Sequence, residues 1–467
     1  MKKIRNRKLT SILFFLIVSI DALKAQTITT PSPLDTIKKS PVDTTIKKPA
    51  AAQSSLTFGL DMRVRTEWRH GYKSIPTPDT TGAFEINQRT RFNVDYKSKT
   101  VDVFLSLQDA RVWGQQDPRE GQTGTATTNN SSTVFPIYFF EAYAEPHFGD
   151  KLSLRIGRQR ISYDNQRLFS ENNWRLPGNS FDAARLIYNN KINFATEFVF
   201  SYQQSGENIF TTKYQPLVPN YKSLLVHYLN WKLNDRVTLT TINAADGYQS
   251  SDPAKYTTTY ERFTSGGRLE YSTYSWYFTI AAYDQYGKDS TGKKLSAYYF
   301  QPEIKYTSGT GSFIARLGME YFSGQDSTTH PTKNKSFTPL YGTAHSFMGY
   351  MDIFDVPGDF NNAGMINPYL HFQWKWNKVM LAMQNHVFIS QSQFVYKGNP
   401  IDKYLGFEND WKFNYTPNKV IDWEIGVSWA KLSKAATIIK KAGDDKLTPY
   451  WIYSSIRFTP TLGKITF

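Results

Sequence analysis

The chain has 467 residues, of which 40% are hydrophobic, 16% aromatic and 20% charged, and it contains no cysteine. That absence excludes a disulfide scaffold, a thiolate zinc site, an Fe–S cluster and a cysteine nucleophile. A formal charge of +15 calls for a polyanionic partner, and 30 Tyr, 32 Phe and 11 Trp call for a physical reason to carry so many rings.

In chain order, the first feature is a processing signal. Lys2, Lys3, Arg5, Arg7 and Lys8 precede the apolar run Ile12 to Ile20, and Ala25 supplies a small-residue cleavage site. This order predicts a signal peptide over 1–25, with an apolar run too short to span a membrane. An exported protein has no cytoplasmic nucleic-acid role, so no nucleic-acid partner is expected. Residues 26–56, rich in Thr, Pro, Lys and Ala, hold too little apolar surface to fold and predict a disordered periplasmic linker. Residues 1–26 carry +5 and 27–56 carry +2, which leaves +8 for 57–467.

From residue 57 the apolar pattern has period two. Phe58, Leu60, Met62, Val64 and Trp68 share one face while Asp61, Arg63, Arg65, Glu67 and Arg69 share the other. Phe92, Val94 and Tyr96 oppose Arg89, Arg91, Asp95 and Lys97 in the same way. Candidate strands fall near 57–69, 84–98, 101–113, 137–147, 151–163, 181–189, 192–203, 221–233 and 236–247. They continue near 260–272, 274–286, 295–306, 312–323, 365–376, 379–391, 403–415, 420–431 and 449–458. Short connections such as 98–100, 190–191 and 377–378 alternate with long ones such as 70–83, 164–180 and 324–364.

Alternating runs of about ten residues with short and long connections in turn predict an all-β transmembrane antiparallel barrel over 57–467. About 18 strands are expected, with 16 as the alternative, and an even count puts both termini on the periplasmic side. Such a barrel sits in the Gram-negative outer membrane, among outer-membrane lipid and lipopolysaccharide. Aromatic residues at strand ends then form interfacial girdles: Trp68, Tyr96, Trp113, Tyr163, Tyr188, Trp231, Tyr271, Tyr306, Trp376 and Trp429. The terminal Phe467 fits recognition of the C-terminal strand by barrel-insertion machinery, unless Arg457-Phe-Thr-Pro460 closes the last strand and leaves a short tail.

Motifs for other chemistry are weak. Gly287-Lys-Asp-Ser-Thr-Gly-Lys-Lys294 nearly matches a phosphate-binding P-loop, but Lys294 replaces the magnesium-ligating hydroxyl and the segment joins two strands. No two histidines are spaced i, i+4, and His371 and His386 fall on neighbouring strands at lumen positions. No catalytic set, metal site or cofactor is expected, and a barrel hydrolase built on these histidines is a minor alternative.

Arginine is concentrated in the first third, and several arginines lie opposite the apolar face. Arginine facing lipid at the midplane costs about 2–4 kcal/mol, so the lumen is the favourable location. Arg63 and Arg65 are thus placed in the pore, where their fork suits carboxylate or phosphate. The competing reading is a charged ladder in which Asp61, Glu67, Asp95, Asp109, Glu141, Glu145, Asp182 or Glu197 pairs with these arginines and braces the wall.

Gln88-Arg-Thr-Arg91, Leu107-Gln-Asp-Ala-Arg-Val-Trp-Gly114, Glu141-Ala-Tyr143, Arg155-Ile-Gly-Arg-Gln-Arg160 and Ser180-Phe-Asp-Ala-Ala-Arg185 occur in that order. Together they resemble the alginate export family of outer-membrane barrels, mainly over 57–190. The resemblance implies an 18-stranded barrel with an arginine-rich constriction that passes an anionic uronate polysaccharide. By position, it makes Arg89, Arg91, Arg111, Arg158, Arg160 and Arg185 pore-lining, with Asp109 and Asp182 as their partners. Asp109 and Arg111 nevertheless share phase with the apolar Val103, Leu105 and Leu107, and Arg158 and Arg160 share phase with Leu154 and Ile156. Their lumen placement requires a bulge, with Gly157 as the candidate in the second case, or an exit from the hydrocarbon band.

The expected function is an outer-membrane channel whose arginine-rich lumen passes anionic solutes, with uronate polysaccharide such as alginate or its fragments as the implied cargo. A general anion or phosphate porin and a non-conducting surface-binding barrel are the rivals. Connection 324–364, with Phe347, Tyr350, Phe354 and Pro357, is long enough either to fold inward or to cap the mouth.

Overall fold

A computed structural model describes residues 54–114, 137–204, 206–207, 209, 220–250, 252–255, 258–326, 332–356, 358 and 362–467. The expected signal peptide, nearly all of the expected linker and Pro357 lie outside the described residues.

Eighteen antiparallel strands form the wall. They are β1 (Ser55–His70), β2 (Ala83–Lys97), β3 (Val101–Val112), β4 (Tyr138–Phe148), β5 (Leu152–Gln159), β6 (Phe181–Asn189), β7 (Phe194–Tyr202), β8 (Ser223–Lys232) and β9 (Val237–Gln249). There follow β10 (Thr259–Ser272), β11 (Trp276–Lys288), β12 (Lys294–Thr307), β13 (Phe313–Phe322), β14 (Met365–Trp376), β15 (Val379–Ser390), β16 (Tyr404–Tyr415), β17 (Ile421–Leu432) and β18, which runs Tyr450–Phe458 and resumes as Thr461–Thr466. Each strand pairs with its neighbours in sequence, and β18 returns to β1, so the sheet is a closed ring. Closure leaves no open edge in hydrocarbon, which is why the chain can cross a membrane without a helix.

The burial pattern is inside-out. Phe84, Phe198 and Leu317 are more than half exposed on the outer face, whereas Glu67, Arg89, Asp246, Glu320 and Asp410 are fully buried inside. Outward Trp68, Trp113, Tyr188, Trp231, Tyr271, Trp376 and Trp429 are exposed near strand ends, as girdle residues should be. Tyr163 departs from that expectation. Strand β5 stops at Gln159, so Tyr163 turns inward, is buried, and stacks on Tyr228 at 4.2 Å and 14°.

The last strand does not end at Pro460. Proline has no N–H for the ladder, so the register with β1 shifts between Phe58 and Gly59, where Leu60 N donates to Pro460 O at 3.1 Å. Pairing then resumes, and Phe467 N donates to Ser54 O at 2.9 Å. One element has no counterpart in the sequence reading, namely α1 (Lys434–Lys440) between β17 and β18. Ser433 caps its Ala436 N–H, and Ala435, Ala436 and Ile439 are buried. Seven residues are too few to display a helical period.

Two long connections enter the ring. Connection 160–180, between β5 and β6, buries Ile161, Tyr163, Leu168 and Phe169. Connection 323–364, between β13 and β14, buries Phe337, Met348, Met351, Ile353, Phe354 and Val356. They pack on each other and on inward wall residues such as Phe322, Phe388, Leu405 and Trp451, so the apolar core lies inside the barrel. Thus residues 337–356 fold inward.

Candidate pore and its arginine cluster

Strands β1 and β2 carry the first part of the site. Register sets Arg63 opposite Arg89 on β2 and opposite Arg457 on β18, with Asp61 opposite Arg91. Period-two alternation turns Arg63, Arg65, Arg89 and Arg91 inward, and all four are buried. Like charges directly opposite each other destabilise a sheet. They persist here because carbonyl oxygens of 160–180 come down onto them.

Arg63 donates to Asn173 O at 2.7 Å, Trp174 O at 3.1 Å and Arg175 O at 3.1 Å. Arg65 donates to Trp174 O at 3.0 Å and to Glu67 at 2.6 Å, with its guanidinium 4.0 Å over the Trp174 ring. Arg89 donates to Asn173 O at 3.1 Å and lies 3.6 Å from Asp61. Arg91 reaches Asn173 Oδ1 and Pro177 O, both at 3.2 Å. The four arginines therefore clamp 173–177 as well as face the lumen. Hydrogen bonds to charged groups contribute about 1.5–3 kcal/mol each, so the clamp is a strong local anchor.

Around this clamp lie cations that keep access to open space. Arg160 follows the end of β5 and turns inward to Glu141 at 2.8 Å and to Glu171. Arg457 pairs with Asp61 through two hydrogen bonds of 2.9 Å. Both side chains remain about 40% exposed. Arg63, Arg89, Arg91, Arg160 and Arg457 thus share four carboxylates, Asp61, Glu141, Glu171 and Asp422, the last directly opposite Arg457 across the ladder. Positive charge is in excess at this level of the lumen. Arg185 also points inward but is bound to Glu197 at 2.6 Å, so it braces the wall.

Arg111 and Arg158 face the other way. Ser106, Gln108 and Ala110 are the buried, inward residues of β3, which places Asp109 and Arg111 outside, joined by hydrogen bonds of 2.7 and 2.8 Å. Arg158 pairs outside with Asp182 through two bonds of 2.8 Å. The bulge needed to bring them in is absent, because Gly157 keeps continuous register with Tyr143 and Ala183. The extra residue lies instead on β4, where Phe140 and Glu141 are both buried inward. Arg111, Arg158, Asp109 and Asp182 are therefore neutralised ion pairs on the outer wall. The Arg158→Gln variant is expected to leave the reversal potential of a reconstituted channel unchanged; a clear shift would place its charge in the ion path.

Connection 323–364 has its own anchors, which sequence reasoning missed. Glu408 and Asp410, both buried on the inward face of β16, accept Met351 N–H at 2.8 Å and Tyr350 N–H at 3.2 Å. Gly349 has φ +80°, and a Cβ there would meet Glu408 Oε1 at 2.2 Å, so this close approach requires glycine. Arg167 is buried against Glu320 at 2.6 Å and Thr343 O at 2.7 Å. His345 stacks on Trp174 at 4.1 Å and 5° and meets Asp352 at 3.1 Å. Burial alone would raise the Asp352 carboxyl, but His345, Tyr72 and Lys73 hold it below its ordinary value. Between these connections lies a cleft of about 540 Å3 with Lys73, Arg175, His345, Asp352 and Asp355 in its lining. The only advance signals were the turn-forming residues Asn172, Asn173, Pro177, Gly178 and Gly349. His371 and His386 do turn inward, 5.1 Å apart, but among the described residues no group of three or more His, Asp or Glu could hold a metal.

Solved outer-membrane porins share the architecture. OccAB1 of Acinetobacter baumannii superposes with a TM-score of 0.59 at 12% identity, covering 87% of this chain and 97% of that one. OpdO of Pseudomonas aeruginosa gives 0.55 at 12% identity, covering 87% and 98%, and OpdK of Pseudomonas aeruginosa, in a structure with vanillate, gives 0.55 at 9%, covering 86% and 98%. No curated protein matches the sequence. The model of the alginate export family matches residues 54–431, nearly the whole ring, and the chain belongs to that family of Gram-negative outer-membrane barrels.

Proposed function

We propose that this outer-membrane channel conducts anionic solutes, with uronate polysaccharide or its oligomers as the favoured class. The observation that carries the reading is the cluster in which five arginines share four carboxylates at one level of the inner wall. Excess fixed charge in a narrow lumen biases ion passage, and several weak sites in succession let an anion enter and leave. The partly exposed guanidiniums of Arg160 and Arg457 keep donors beyond those that hold Glu141, Glu171 and Asp61, and these suit the carboxylate that every uronate unit carries. Family membership supports the choice of uronate over phosphate.

The test is a planar bilayer under a salt gradient, with oligouronate added as a blocker. The wild-type protein should show a reversal potential of anion-selective sign and reversible block. The double variant Arg160→Gln, Arg457→Gln should lose much of both. Cation preference in the wild type, or block that is indifferent to the two substitutions, counts against the reading. A second reading, a non-conducting surface-binding barrel, draws on the apolar core formed by the inward connections, and it predicts no current at all from folded protein.

A further inference from the structure

The segment Gly287-Lys-Asp-Ser-Thr-Gly-Lys-Lys294 forms the tip of the β11–β12 hairpin on the extracellular side. Register sets Lys288 directly opposite Lys294. A distant piece of chain, Lys333–Asn334, adds alongside β12 as a short parallel pairing and sets Lys333 opposite Lys294. Lys293 and Lys335 flank these three, so residues far apart in sequence bring five lysines together. Lys288, Lys294, Lys333 and Lys335 are exposed. Among the described residues none of the five has a carboxylate partner within ion-pair distance.

The acid within the hairpin does not relieve this repulsion. Asp289 Oδ1 accepts Thr291 N–H at 3.0 Å, Thr291 Oγ1 at 2.7 Å and Lys293 N–H at 3.0 Å, and Asp289 Oδ2 accepts Asn334 Nδ2 at 2.9 Å. Its carboxylate shapes the turn and ties the two chain segments together. Like charges held opposite one another by such a fixed turn cost stability. An anion outside the fold is the natural counter-charge.

Direction identifies which anion. Lys288 and Lys294 share phase with the outward Tyr286 and Tyr298, not with the inward Gln285 and Ala297. Below them Tyr286 stacks on Phe263 at 5.3 Å, and Tyr298 stacks on Tyr321 at 5.7 Å, both Tyr286 and Tyr298 being exposed. Aromatic rings of this kind mark the boundary between hydrocarbon and headgroups. Lys294 and Lys333 therefore stand at headgroup level on the lipid side of the wall, while the Lys288 ammonium leans back over the Tyr260 ring at 5.4 Å. Flexible ammonium groups suit phosphate as point charges.

We propose that Lys288, Lys294 and Lys333, with Lys335 beside them, dock the phosphate groups of a phosphorylated glycolipid in the outer leaflet. This role uses lysine charge at a sheet rim and owes nothing to a P-loop cradle. It depends on the outer-membrane setting of the barrel and is independent of what the channel conducts.

The experiment titrates detergent-solubilised full-length protein with bisphosphorylated lipid A in mixed micelles, and repeats it with the same lipid stripped of phosphate. Wild-type protein should bind only the phosphorylated form. The triple variant Lys288→Gln, Lys294→Gln, Lys333→Gln should bind it roughly a hundredfold more weakly, since each basic side chain near an anionic surface contributes about a fivefold factor. Heat-modifiable gel mobility checks that the variant barrel is folded, and an unchanged channel current separates this outcome from any failure of the conduction reading. Equal binding of both lipids, or undiminished binding by the folded variant, overturns the proposal. Displacement of lipid A by equimolar inorganic phosphate or by oligouronate would likewise overturn it, because the patch would then serve a soluble anion.

Discussion

Excising 343–356 and bridging the gap with a short Gly-Ser linker is expected to raise single-channel conductance severalfold. These residues contribute Met348, Met351, Ile353, Phe354 and Val356 to the apolar core inside the ring. They are attached to the wall by the Tyr350 N–H on Asp410 and the Met351 N–H on Glu408. The excision removes none of the eighteen strands, and each strand keeps both ladder partners, so the barrel should still fold. What changes is the space that the connection occupied. Ion current across a planar bilayer, compared with wild type at the same salt, is the measurement. An unchanged conductance would mean that ions already pass elsewhere, and the inward connection would then be a brace and not an obstruction.

The second large effect is expected at Arg63. Its three hydrogen bonds to the carbonyls of Asn173, Trp174 and Arg175 are each worth about 1.5–3 kcal/mol for a charged donor. In the Arg63→Gln variant an amide cannot span three successive carbonyls, so segment 173–177 should detach from the wall. Trypsin cleavage after Arg175 reports this directly, because in the wild type the carbonyl to be attacked is held by Arg63. Much faster cleavage is expected, and Arg63→Lys should rescue little, since an ammonium lacks the planar fork. Wild-type resistance to trypsin in both variants would show that the remaining arginines hold the segment unaided.

The wall was legible in the sequence and the interior was not, for a definite reason. Alternation in β1 and β2 specifies which residues face inward, and strand length with alternating connections specifies a ring of about eighteen. The same alternation already placed Asp109, Arg111 and Arg158 in phase with leucine and isoleucine, and their outward position follows the pattern and not the family analogy. Arg160, two residues beyond Arg158, escapes the rule because β5 ends between them at Gln159. The partners of Arg63 and Arg91 could not be read in advance. Those of Arg63 are main-chain carbonyls of a non-periodic connection, which carry no residue signature, and Arg91 combines such a carbonyl with the side-chain oxygens of Asn173 and Gln108. The acids Glu408 and Asp410 looked like wall charges, since nothing in sequence indicates that they receive Tyr350 and Met351 N–H groups.

Trp174 sits where both inward connections meet. Arg65 of the wall lies over its ring, His345 of 323–364 stacks on it in parallel, and Trp451 and Tyr453 meet it edge-on. A ring held in this way makes the two connections one mechanical unit. Whatever draws 323–364 out of the barrel strips a stacking partner from 160–180, and whatever loosens 160–180 does the same in return, by an equal free energy in each direction. A solute that displaced either connection would therefore weaken the hold on the other.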